Sequence, residues 1–233
     1  MIIFYALISL TIILSFIAMY RTEKLSQKYS NYRNGLHITG QELVKKFLKD
    51  NNIEQLEITH NGGDDYFDVD NLSINLSDNA YGRDTVTSLA ISAHECGHVP
   101  QAKNDKFLLR FKRRFVAAVN VAIYIGIVAL AIGYILKVPM LMYIATFFLA
   151  IASLFQLFTL PLEIDASRRA LKYLKTQNLS DEELKAIKKL LVIAAISYLG
   201  NLFLNIVRLF STTWHTGKKS LSLNLLWLLK QVF

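Results

Sequence analysis

The sequence predicts an α-rich integral membrane protein with about four transmembrane helices and a small α+β cytoplasmic domain. Three observations carry that prediction. The 233 residues are 53% hydrophobic and 19% charged, less charge than a water-soluble chain of this length normally carries. Apolar runs recur at 2–20, about 116–136, 139–162 and 190–210, each near the roughly 20 residues a bilayer requires. All 18 acidic residues fall outside those runs, in 21–115 or 163–189.

Residues 1–20 read as a retained transmembrane anchor. A cleaved signal peptide wants a basic start and a small-residue cleavage site, and the segment has neither. Residues 21–115 form the expected cytoplasmic domain. Gln27 to Asn34 is a polar link. His37 to Leu48 reads as a helix, with Thr39 as its cap and Glu42 in the capping-box position. Leu43, Val44, Phe47 and Leu48 fall on one face. Ile53 to Ile58 is a strand candidate, Gly62 to Asp65 a turn, and Leu72 to Leu76 alternates strictly as a half-buried strand should. Residues 116–162 give two transmembrane helices, and 163–189 a cytoplasmic helical segment. Residues 190–233 give a last span and an apolar tail, 221–233, with Trp227 and Lys230 suited to headgroup level.

Charge sets the expected orientation. Of the 26 Lys and Arg residues, 14 lie in 21–115 and 7 in 163–189, whereas the link between the second and third spans holds only Lys137. By the positive-inside rule both charged segments are cytoplasmic and the N-terminus is outside. The net charge of +8 is therefore mostly topology. Nucleic acid is not an expected partner, because no aromatic or motif support accompanies the basic residues. Arg110 to Arg114 reads instead as an anchor to anionic lipid.

The chemistry is concentrated in 85–102. His94 and His98 stand four residues apart, so on a helix they share a face, with Glu95 about 100° around it. This is the H-E-x-x-H pattern of zinc hydrolases: two imidazoles reach one ion while the carboxylate approaches water. Val86, Leu89, Ala90 and Ala93 repeat at helical spacing, Thr85 or Asp84 serves as cap, and Pro100 ends or kinks the helix. Gly97 leaves that part of the helix bare for a close approach. Cys96, the one cysteine, points away from the histidine face and reads as a small packed residue.

A catalytic zinc centre needs a third protein ligand. The candidates are His37, His60, His215, Glu163 and Asp165, of which Glu163 is the strongest. It lies at the expected cytoplasmic end of the third span, the membrane face to which the His94 helix also leads. Asp165 points nearly opposite Glu163 on a helix and pairs better with Arg168 or Arg169, whereas Ser167 shares the Glu163 face. A strand just ahead of the ligand helix is also positioned to pair a free edge with an extended peptide, which makes Ile74 a substrate-binding candidate. Tyr66, Tyr81 and Arg83 are candidates to stabilise an oxyanion, Tyr81 and Arg83 being also candidate substrate contacts.

Several blocks together resemble a family, the YugP-type membrane zinc metallopeptidases, and more distantly the HtpX-type membrane proteases. They are Gly35 to Glu42, Leu72 to Tyr81, Ala93-His94-Glu95-Cys96-Gly97-His98, and Leu160-Pro161-Leu162-Glu163-Ile164-Asp165-Ala166-Ser167-Arg168-Arg169-Ala170. The resemblance implies a zincin-like domain in a multi-pass protein of a bacterial cell membrane. It implies one Zn2+ per chain on His94, His98 and Glu163, with Glu95 as general base. Val99-Pro100 and Cys96 depart from the usual Ala-Ile and Val. The expected function is endopeptidase cleavage of peptides or membrane proteins at the cytoplasmic face, with zinc-activated water as nucleophile. The alternative is a non-catalytic metal-binding scaffold or pseudo-protease; a site-2-type intramembrane protease fits less well, because 61–88 ahead of the histidines is polar and turn-rich.

Overall fold

The computed structural model describes residues 13, 17, 20, 21, 23–104, 106–196 and 206. Two compact units divide the chain, one of Ser15–Arg114 with Phe158–Leu199, the other of Met1–Leu14, Phe115–Leu157 and Gly200–Phe233. Mostly helical, the molecule carries one small sheet.

In the first unit a helical run α1 (23–29) is followed by α2 (Gly40–Asp50). The expected capping box forms: the Glu42 amide donates to Thr39 Oγ1, and the Thr39 amide donates to the Glu42 carboxylate. Leu43, Val44, Phe47 and Leu48 are buried, as their spacing requires. Three strands follow, β1 (Glu57–Thr59), β2 (Tyr66–Asp68) and β3 (Ser73–Asn75), in the order β1-β3-β2. β3 runs parallel to β1 and antiparallel to β2.

That topology corrects the expectation of a free edge beside Ile74. β3 is the central strand, and Ile74, opposite Ile58 and Phe67, has no exposed surface. The strand that closes the second edge, Tyr66-Phe67-Asp68, is only three residues long, too short to display an alternating pattern.

Beyond the sheet come α3 (Val86–His98), the short α4 (Gln101–Asn104), α5 (Lys106–Leu136), α6 (Pro139–Leu174) and a helical run α7 (181–196). Thr85 caps α3 by accepting from the Ser88 amide, and the helix stops ahead of Pro100. Two buried clusters hold α3. Phe47, Phe67, Val69, Ile74 and Leu76 gather around Cys96 with Leu109 and Leu162. Leu43, Val86, Leu89 and Ala93 pack with Ala170, Leu174 and Ile187. Each fully buried Leu or Ile contributes about 1.5–3 kcal/mol over exposure, so these clusters fix where α3 and α6 meet. Pro161 does not break α6, which runs on to Leu174. Glu163 therefore sits inside a helix instead of at the end of one.

In the second unit, α5 and α6 pack through small residues. Gly126 lies against the Leu149 side chain and Gly133 against Leu141 and Met142, while Ala122, Ala129, Ala145 and Ala152 are buried. Large apolar side chains such as Tyr124, Ile135, Phe147 and Leu154 stay exposed. Small residues between helices and large apolar ones outside are the arrangement of membrane helices. α5 and α6 each contain a stretch long and apolar enough to cross a membrane. The other two expected spans, 2–20 and 190–210, lie largely outside the described residues.

Candidate metal centre

α3 brings His94 and His98 onto one face, their rings edge to face at 5.0 Å. Glu163 reaches them from α6. Its Oε2 is 3.1 Å from His94 Nε2 and 3.9 Å from His98 Nε2. One donor atom from each of the three residues lies within 4.8 Å of the others. A zinc ion with bonds of about 2.0–2.1 Å holds tetrahedral donors roughly 3.3 Å apart, so one ion reaches all three after small side-chain rotations.

The close approach of the two helices depends on Gly97. A Cβ there would collide with the Ala166 carbonyl oxygen, so the bare helix surface expected from Gly97 is occupied by the α6 backbone. This contact sets the His94 helix beside the Glu163 turn.

Hydrogen bonds behind the donors fix the ring chemistry. Gln101 Nε2 donates to Leu162 O at 2.9 Å and to Asp165 Oδ2 at 2.8 Å, two acceptors that only the amide NH2 can satisfy. Gln101 Oε1 must then face His98 Nδ1, 2.8 Å away, and accept its proton. His98 Nε2 is left as a lone pair directed at the other donors. His94 Nδ1 lies 3.1 Å from Ser167 Oγ, the residue expected on the Glu163 face. Such partners behind a ligating histidine set its tautomer and orientation.

A cation already occupies the neighbourhood. Lys112 Nζ lies 3.5 Å from His98 Nε2 and forms an ion pair with Glu163 Oε1. The donor set is thus chemically and electrostatically suited to a positive ion: two imidazoles and one carboxylate, nearly buried, with one nitrogen held as a lone pair. Zinc fits these residues.

Electrostatics differ between the two histidines. Burial, followed by the Lys112 charge, pushes His98 down to about 3. Burial also opposes charge on His94, but the Glu163 hydrogen bond and the neighbouring carboxylates outweigh it and raise its pKa. Burial raises Glu95 above the usual carboxylate range, with His94 and Lys112 working the other way.

A cavity of about 310 Å3 opens on this centre, lined by His94, Glu95, Glu163, Lys112 and Asp65 at its polar part. Ala90, Ile91, Leu190, Leu191, Ile193 and Ala194 supply apolar lining. Asp65 accepts from the Ser77 amide and hydroxyl; burial nonetheless pushes its carboxyl up.

The other predicted site residues lie elsewhere. Tyr81 stacks on His60 and accepts from Gln41 Nε2, while Arg83 Nε donates to the Asp78 carbonyl. Neither lines the cavity, and nor does Ile74. The Tyr66 ring lies under the Arg113 guanidinium at 4.0 Å. His60 pairs with Asp78, and Asp165 pairs with Arg169 at 2.6 Å as its spacing predicted. His215 lies outside the described residues. Cys96 is buried and packed, its thiol pushed well up. Within the basic cluster Arg110 to Arg114, Arg110 pairs with Asp70, Lys112 with Glu163 and Arg113 with Asp68. Lys112, Gln101 and Asp65 were not singled out from sequence. Gln101 lies three residues beyond His98, a spacing that offered a signal. Lys112 was hidden in a charge run, and Asp65 in a turn.

A helix bearing H-E-x-x-H and a carboxylate from a later helix together form a donor group that could hold one metal ion. The family model described as "putative neutral zinc metallopeptidase" matches residues 4–215, and the chain belongs to that family. The chain is 26% identical over 188 residues to the "Putative membrane protease YugP" of Bacillus subtilis (strain 168), covering 79% of this chain and 84% of that protein. No solved structure matches.

Proposed function

We propose that this protein is a membrane-bound zinc endopeptidase acting on peptides or membrane proteins at the cytoplasmic face. The observation that carries the reading is the convergence of His94, His98 and Glu163, with His94, Glu163 and the neighbouring Glu95 lining one cavity and the buried His98 held behind them by Gln101. Among the described residues this donor group has three members, one fewer than a closed structural zinc site, which favours catalysis over a scaffold role. A zinc ion held there supplies Lewis acidity and lowers the pKa of water toward about 7.

The chain's own residues do the rest. Glu95, lining the cavity beside His94 and Glu163, accepts the proton of the attacking water and returns it to the leaving amine. Lys112, lining the cavity, neutralises charge developing on the carbonyl oxygen, a role for which Tyr66, Tyr81 and Arg83 lie outside the cavity lining. Gln101 and Ser167 hold the imidazoles. The apolar lining from Ile91, Leu190 and Leu191 suits an apolar substrate side chain next to the scissile bond. Placement at the cytoplasmic face rests on the distribution of Lys and Arg.

The test is zinc content and cleavage of a quenched apolar peptide by the detergent-solubilised chain. Glu95→Gln is expected to keep one zinc per chain and to lose about 10²–10⁴-fold in turnover. Undiminished turnover in Glu95→Gln would remove Glu95 from the reaction.

A further inference from the structure

Three carboxylates line the metal-centre cavity, Glu95, Glu163 and Asp65. Two of them are accounted for. Glu163 belongs to the donor group and pairs with Lys112, and Glu95 stands beside His94 in the motif. Asp65 belongs to neither. It comes from the loop between β1 and β2, and among the described residues no cation pairs with it.

The loop is built to hold this carboxylate still. Asn75, fully buried at the end of β3, donates from Nδ2 to Asn61 Oδ1 at 2.8 Å and to the Asp64 carbonyl at 2.7 Å. Ser77 donates its amide to Asp65 Oδ1 at 2.7 Å and its hydroxyl to Oδ2 at 2.9 Å. Both oxygens are thereby oriented, yet a carboxylate offers about four lone-pair sites and Ser77 takes only one on each oxygen. The charge is felt at the reaction centre, where it works to raise the Glu95 pKa. A fixed, half-buried carboxylate on a cavity wall, with acceptor capacity left over, suits a positively charged hydrogen-bond donor.

The rest of the lining sets the surroundings of such a donor. Ile91, Leu190 and Leu191 give the cavity an apolar wall. A substrate that satisfies both carries an apolar residue and a basic one near the bond to be cut. Segments of that composition occur where an apolar span meets its cytoplasmic flank of Lys and Arg.

We propose that Asp65 sets substrate specificity by taking the ammonium or guanidinium of a Lys or Arg side chain close to the scissile bond. The role rests on the endopeptidase reading of the cavity and names its substrate class. A free amino terminus offers the same chemistry and is distinguished below.

The test separates binding from cleavage. The zinc-loaded, full-length Glu95→Gln protein in detergent is titrated with fluorescently labelled, N-acetylated apolar peptides, and anisotropy gives Kd. One series carries a single Lys moved stepwise along the peptide, and the other carries Gln at the same positions. The best Lys peptide is expected to bind at least about tenfold more tightly than its Gln counterpart, as a charged hydrogen bond can supply. Adding Asp65→Asn should bring the two within about twofold of one another. Asn can keep both Ser77 hydrogen bonds, Oδ1 accepting from the amide and Nδ2 donating to the hydroxyl, and a general loosening would weaken both peptides alike. Should Asp65→Asn not fold, Ser77→Ala, which frees the carboxylate, decides by at least about a threefold fall in the preference. No Lys preference with Asp65 intact, or a preference that survives these substitutions, overturns the role. Equal tightening of the Gln peptide by a free amino terminus, lost in Asp65→Asn, overturns the side-chain assignment in favour of a terminal amine. Turnover of the same peptides by the chain with Glu95 intact tests the reaction separately: a Lys preference without cleavage overturns the endopeptidase reading and leaves the Asp65 contact standing.

Discussion

The two sides of the metal centre are built differently, although each rests on a histidine of the same helix. On the His98 side everything is closed. The ring is 2% exposed, its Nδ1 is tied to Gln101, and Gln101 is tied to Leu162 and Asp165 on α6. On the His94 side the ring keeps 18% of its side-chain surface, leans on a single hydroxyl and borders the cavity. One side is sealed inside the protein and the other opens on the cavity. The same residue type thus has its pKa pushed down on one side and up on the other: burial and the Lys112 charge lower it at His98, whereas at His94 burial is outweighed by the Glu163 hydrogen bond together with the Glu95 and Glu163 charges.

Removing the carboxylate shared by both sides has the largest expected effect. Glu163→Ala is expected to abolish stoichiometric zinc binding, read by metal analysis after dialysis, while the α2–sheet core keeps its fold. Full zinc retention would mean that the third donor lies elsewhere. The comparison itself is tested by trimming each histidine's support. Gln101→Ala should weaken zinc binding about 10–100-fold, the usual cost of losing such a partner, and Ser167→Ala by less than about tenfold. Competition with a chromogenic chelator reads both, and equal losses would erase the asymmetry.

Gly97→Ala addresses the helix contact on which both sides depend. Forcing a methyl against the Ala166 carbonyl should destabilise the protein by about 1–3 kcal/mol and lower Tm in thermal unfolding. The subtlest effect is on pH dependence. In the zinc-free protein burial raises the Glu95 pKa, so its carboxyl, followed by NMR, should titrate above the ordinary 4.5 of a glutamate. Replacing Lys112 with Met removes a charge that holds this pKa down and should move the titration further up.

Much of the closed side was legible in the sequence, because its signals are local. The i, i+4 histidines, the Thr85 cap, the stop at Pro100 and the Thr39–Glu42 box each concern neighbours in the chain, where spacing alone decides geometry. The open side was harder. Leu190 and Leu191 read as the start of an apolar run and give no hint of lining a cavity next to His94. The free edge expected beside Ile74 is covered because strand order is a long-range property: a three-residue strand between turns took the edge its alternation had left open. Lys112 and Asp65 are charges whose role comes from what α6 and α3 place opposite them. Glu163 was found at a distance because charge patterning and motif pointed to one place, although its helix does not end where apolar length suggested.

His94 and Glu163 are 69 positions apart in the chain, and α5 together with the first two-thirds of α6 must be made between them. A ribosome that has synthesised the first 150 residues has released both histidines and the glutamate beside them, yet no three-donor site exists. The centre is assembled only after the second long apolar helix has been translated and docked at Gly97. Order of synthesis therefore delays assembly of the three-donor group until α6 has been made as far as Glu163.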